Sequence, residues 1–168
     1  MDVAELLIEL YGRIPTLARS VVEDLDTGQL AESPAPGANN IGWLIWHLAR
    51  VQDDHVAAIR GVEQVWATGT WASRFDLAPD PSNIGYGHTV EEALAVHPEG
   101  PGVLVEYLET VQDRTVAWLA TLGATELDRI VDDSWDPPVT MGVRLVSVAD
   151  DCLQHLGQAA YLRGLMGV

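Results

Sequence analysis

VSVADDCLQHLGQAAYLRGL, residues 146–165, is the stretch whose reading decides the fold. Counted from Val143 at about 100° per residue, Leu145, Val148, Cys152, Leu156, Ala159, Leu162 and Met166 form one apolar stripe, the signature of an amphipathic helix packed on a core. Asp151 and His155 lie on the flank of that stripe, four residues and one turn apart, whereas Asp150 points the opposite way into solvent. A carboxylate turned toward an apolar interior needs a partner, because an unpaired buried charge costs several kcal/mol. A metal ion clipped between Asp151 and His155 would supply one. A plain Asp151–His155 structural pair is the alternative that spacing leaves open.

Working outward, the same periodicity recurs three more times. Asp2 is placed to cap a first helix with Val3, Leu6, Leu7, Leu10, Ile14, Leu17, Val21 and Leu25 as its stripe, bent but not broken at Pro15. SPAPGANN (33–40) reads as a loop, with Asn40 the N-cap of a second helix from Ile41 to about Arg60. In that helix Ile41, Leu44, Ile45, Leu48 and Ile59 face the core, and Trp43 and Val51 widen the buried arc toward His47. Asp54 falls nearly in line with His47, and His55 lies about 80° round from it. A third long helix starts near Pro101 and ends at Gly123, and 132–140 reads as an extended loop before the last one.

Between Gly61 and Gly102 the periodicity dissolves, apart from a short helix capped by Thr89. Connections of this length commonly form lids or binding loops, so Trp66, Trp71, Phe75 and Tyr86 are expected as pocket walls or dimer contacts. Four long amphipathic helices with one long irregular connection between the second and third predict an all-α four-helix bundle, a single domain over residues 1–168. Bundles of this kind build metal and ligand sites from facing helices.

Composition narrows the function. The formal charge of −16, with all nine basic residues Arg, disfavours nucleic acid, whose binding relies on Lys and Arg to displace counterions. Anionic membrane surfaces are disfavoured for the same reason. Neither a membrane span nor a signal peptide is legible, so a cytoplasmic protein is expected. The single cysteine, Cys152, has no partner for an intramolecular disulfide and lies in the centre of an apolar stripe, which reads as a small core residue. His88 and His97, both in loops, read as solvated or capping residues.

His47 on the second helix, set beside Asp151 and His155 on the last, makes a two-histidine, one-carboxylate ligand set that leaves coordination positions open, as catalytic metal sites do. NNIGWLIWHLARVQDDHV (39–56) and GVRLVSVADDCLQHLGQAAYLRGL (142–165) resemble the DinB-like superfamily, in particular the branch of the mycothiol-dependent maleylpyruvate isomerase N-terminal domain and related small-thiol transferases. The resemblance implies a dimeric four-helix bundle holding a divalent metal, zinc first, with nickel, iron or manganese as alternatives, through His47, Asp151 and His155. Asp151 stands where that branch has Glu and many relatives have His. The chemistry implied is a mycothiol- or bacillithiol-type S-transferase or isomerase in which a metal-activated thiol attacks an electrophile, as in detoxification.

Trp43, one turn before His47, would roof the pocket. Gln52, Asp54, His55 and Gln158 are candidates for orienting a ligand or the thiol. Two other readings use the same residues: a non-catalytic metal or small-molecule-binding stress protein, and a structural dimer whose histidines are satisfied in the core.

Overall fold

The computed structural model describes all 168 residues, Met1–Val168. Its long helices are α1 (Val3–Val22), α3 (Ile41–Arg60), α6 (Pro101–Leu119) and α7 (Met141–Met166). They form the bundle: α3 packs on α7 and α6, and α1 closes the ring against the same two. Short helices α2 (Thr27–Ala31), α4 (Trp71–Arg74) and α5 (Val90–Leu94) lie in the connections. One cluster of 37 buried residues runs through the interior.

Local chemistry fixes the ends. Asp2 and Glu5 make a reciprocal capping box at the start of α1. Asn40 Oδ1 accepts from Trp43 N at the start of α3, and Gly61 ends that helix in the left-handed conformation (φ 65°). Thr140 caps α7. Each cap satisfies backbone groups that a helix end leaves without an intrahelical partner.

Three expectations need correction. In α1 the buried line is Leu7, Tyr11, Ile14, Ala18 and Val21, while Leu6 and Leu17 are exposed. The apolar arc of α1 is wider than one stripe, and its neighbours choose which edge is covered. Tyr11 adds a long-range tie, its hydroxyl donating to Leu145 O on α7 at 2.7 Å. The 132–140 segment is not simply a loop: β1 (Ile130–Asp132) and β2 (Val139–Thr140) pair antiparallel and deliver the chain to α7.

The third concerns the long connection. Trp66 and Phe75 are core residues rather than pocket walls, both packed edge-on against Tyr107 and tilted against each other, with Trp66 also meeting Trp46. Because this connection crosses the outer side of α3, every residue from Ile41 to Asp53 is buried. Arg50 pins it there. This wholly buried guanidinium donates to Asp53, Tyr107 and Gln64 side chains and to the carbonyls of Pro81 and Asn83. Asp53 in turn accepts from the backbone N–H groups of Val65 and Trp66, both at 2.8 Å. A buried charge survives folding only when paired and hydrogen-bonded in this way.

Candidate metal centre

The bundle brings His47 from α3 against Asp151 and His155 from α7, and one ligating atom from each lies within 4.8 Å of the others. The two helices run antiparallel here, and Cys152 Sγ meets Leu48 O at 3.5 Å between them. His155 Nε2 is 3.6 Å from Asp151 Oδ1.

Both imidazoles are oriented from behind. His47 Nδ1 contacts the carbonyl of Ile84; since a carbonyl only accepts, Nδ1 carries the proton and the Nε2 lone pair is left for a ligand. Gln158 Oε1 does the same for His155, accepting from Nδ1 at 2.9 Å. Trp43 lies flat on His47 with ring centroids 4.5 Å apart and meets His155 edge-on at 6.0 Å. Its own indole N–H donates to His88 Nδ1 at 3.2 Å, and His88 Nε2 donates to Asn83. His88, expected to be solvated or capping, is therefore a half-buried buttress of Trp43; His97 is exposed.

Electrostatics separate the two histidines. Burial lowers the His47 pKa, with the Ile84 carbonyl offsetting part of the effect. For His155 burial also works downward, but the Asp151 carboxylate and Gln158 outweigh it and the pKa ends raised. Asp151 Oδ2 is buried with no hydrogen-bond partner. An orphaned carboxylate oxygen beside two imidazole lone pairs is the donor set of a borderline divalent cation, so these residues fit one.

Gly85 sets how closely the loop approaches. It has φ +89°, and a Cβ there would fall 2.7 Å from His47 Nδ1 and 2.9 Å from the Trp46 ring. A cleft of about 200 Å³ opens on the cluster, with His47, Val51 and His55 on one wall and Arg144, Val148 and Asp151 on the other. Tyr86, 90% exposed, stands at its rim. A larger groove of about 750 Å³ runs along the outer face of α1 past Ile8 and Leu17, far from any ligating cluster.

The remaining candidates are distributed unevenly. Gln52, expected to orient His47 or a thiol, faces α6 and donates to Gln112 and Thr115; five residues along a helix carry it about 140° from His47. Asp54 accepts from Gln64 at 2.7 Å and lies 3.6 Å from His55, so it does not orient His47 either. His55 lines the cleft, its pKa lowered first by burial and then by Arg144. Ile84, Gly85, Asn83 and Arg144 escaped sequence reasoning. A carbonyl leaves no mark in a sequence, whereas Arg144, seven residues before Asp151, was visible as a side chain on the same helix face.

Residues 11–159 match the sequence profile of the DinB superfamily. A crystal structure of a conserved protein from Enterococcus faecalis superimposes with a TM-score of 0.91 at 32% identity, over 100% of this chain and 99% of that one. No curated protein matches.

Proposed function

We propose, from the premise that the chain belongs to the DinB superfamily, that it is a divalent-metal-dependent thiol transferase. Its metal ligands are His47, Asp151 and His155, zinc is the preferred ion, and a low-molecular-weight thiol, mycothiol or similar, is the nucleophile. The observation that carries this reading is the orphaned Asp151 Oδ2 facing two histidines whose Nδ1 protons are already committed. A cation held there supplies the charge that keeps a thiol as its nucleophilic thiolate near neutral pH.

The chain's own residues do the rest. Ile84 O and Gln158 fix both imidazole rings before any ligand arrives, which limits reorganisation on binding. Trp43 covers one face of His47 and excludes water from it. Val51, Ile84 and Val148 give the cleft an apolar middle in which an electrophile can lie against the thiol. Cys152 takes no part: it is fully buried and burial holds its thiol protonated. The reading includes a homodimer acting on small molecules in the cytoplasm; the exposed Leu6, Leu17, Tyr161 and Leu165 are surfaces a second copy could cover.

Elemental analysis of purified protein beside His47→Ala and Asp151→Ala tests the ion, and metal-dependent loss of free mycothiol, bacillithiol or glutathione against a panel of electrophiles tests turnover. The expected result is about one divalent ion per chain, lost in both variants, with turnover that follows the metal. Equal metal content in all three proteins refutes the metal reading. Metal bound without turnover with any thiol leaves a non-catalytic metal or small-molecule-binding protein of the same fold.

A further inference from the structure

The cleft on the ligating cluster is polarised along its length. Arg144 lies seven residues before Asp151 on α7, about 10.5 Å along the helix and within about 20° of the same line. It is the only Lys or Arg lining the cleft. Its Nη2 donates to Asp132 Oδ2 at 2.6 Å, and no other protein group accepts from it, so Nε and Nη1 remain free. The brace itself is held: Asp132 Oδ1 accepts from both the N–H and the hydroxyl of Ser134. Asp132 belongs to β1, so the small ribbon before α7 holds a guanidinium at one end of the cleft while the ligating cluster occupies the other. Val51 and Val148 lie between them.

Such a cleft matches a molecule with a soft or anionic head at the cluster end, a short carbon chain in the middle and an anionic group at the far end. The planar guanidinium is suited to a carboxylate, to which its remaining N–H groups can donate. The chain carries a net charge of −16, so Arg144, although shared with Asp132, is the one cationic side chain that an anion entering this cleft meets.

We propose that the small molecule entering this cleft carries a carboxylate a short carbon chain away from the atom it presents to the cation, and that Arg144 selects it. The proposal rests on the metal-dependent reading above. Arg144 is a specificity residue here and leaves ion binding to His47, Asp151 and His155.

The test loads the protein with Co²⁺ and follows its ligand-field absorption during titration with 3-mercaptopropionate or with the methyl ester of that acid. The wild type is expected to bind the acid about tenfold or more tightly than the ester, the size of effect a charge-assisted hydrogen bond supplies. Arg144→Gln should take up Co²⁺ as before and lose that preference. Asp132→Asn, whose amide oxygen can still accept from the guanidinium while the competing negative charge is gone, should keep or increase it, and this variant decides the matter if Arg144→Gln does not fold. A preference that survives Arg144→Gln, one that falls in Asp132→Asn, or equal binding of acid and ester by the wild type overturns the assignment while the metal reading stands. Failure of the wild type to take up Co²⁺ overturns both.

Discussion

Gly85→Ala is the substitution that most directly probes how the loop holds His47. The added Cβ would sit 2.7 Å from His47 Nδ1, 2.9 Å from the Trp46 ring and 3.2 Å from the Trp43 ring, at a backbone φ of +89°. Forcing a non-glycine residue into that conformation costs about 1–3 kcal/mol. Overpacking against three rings, two of them tryptophans fixed in the core, adds about 1–3 kcal/mol. The sum, about 2–6 kcal/mol, is a large share of the roughly 5–15 kcal/mol that keeps a domain folded.

Gly87 provides the matched control, with φ +73° and nothing within 4 Å of its Cβ position. Gly87→Ala therefore carries the conformational cost without the clash. Urea denaturation followed by circular dichroism should place Gly85→Ala below Gly87→Ala by about 1–3 kcal/mol. Metal affinity should drop about 10–100-fold in Gly85→Ala, as expected when the group behind a ligating histidine is displaced, and stay unchanged in Gly87→Ala. Equal stability of the two variants, with equal metal affinity, would refute the claim that close approach of this loop orients His47.

Arg50→Met removes the five hydrogen bonds of a fully buried cation and leaves the Asp53 carboxylate without its counter-charge; a loss of about 3–5 kcal/mol is expected, with faster amide hydrogen exchange across 81–88, and a loss under about 1 kcal/mol would contradict the hub. In metal-free protein the His155 pKa should lie above the ordinary histidine value and that of His47 below it. The His155 contribution to stability is then fully present below its unfolded pKa of about 6.5 and lost as pH rises through its raised folded pKa, whereas His47 destabilises the protein as pH falls below about 6.5. An NMR titration checks both directions, and Asp151→Asn should lower the His155 value; an unchanged value would count against Asp151 as its cause. Cys152, wholly buried with its pKa raised by burial, should resist an aromatic disulfide reagent in native protein and react with one equivalent in urea, and prompt native labelling would contradict its place in the core.

The long helices of the bundle were legible because a 3.6-residue period and its caps are local properties. Asn40 announced the start of α3, Gly61 its end, and 100° per residue was enough to turn Asp151 inward and Asp150 outward. α1 shows where that method stops: its apolar arc was too wide for periodicity to say that Tyr11 and Ala18, rather than Leu6 and Leu17, would be covered. The fate of Trp66 and Phe75 was equally hidden, since nothing local says that a loop rich in turn residues will send its rings beneath Tyr107.

By itself, then, the order of residues determined an all-α bundle and that His47 of α3 and Asp151 and His155 of α7 lie on their facing surfaces. Tertiary structure alone decided that Arg50 would be buried as the anchor of the long connection, that the Ile84 carbonyl would hold His47, and that Arg144 would share a cleft with Asp151 and His55. The physical reason is range. Helix periodicity repeats within a few residues of sequence, whereas a carbonyl 37 positions away acquires a role only when the packed elements bring it within hydrogen-bonding distance.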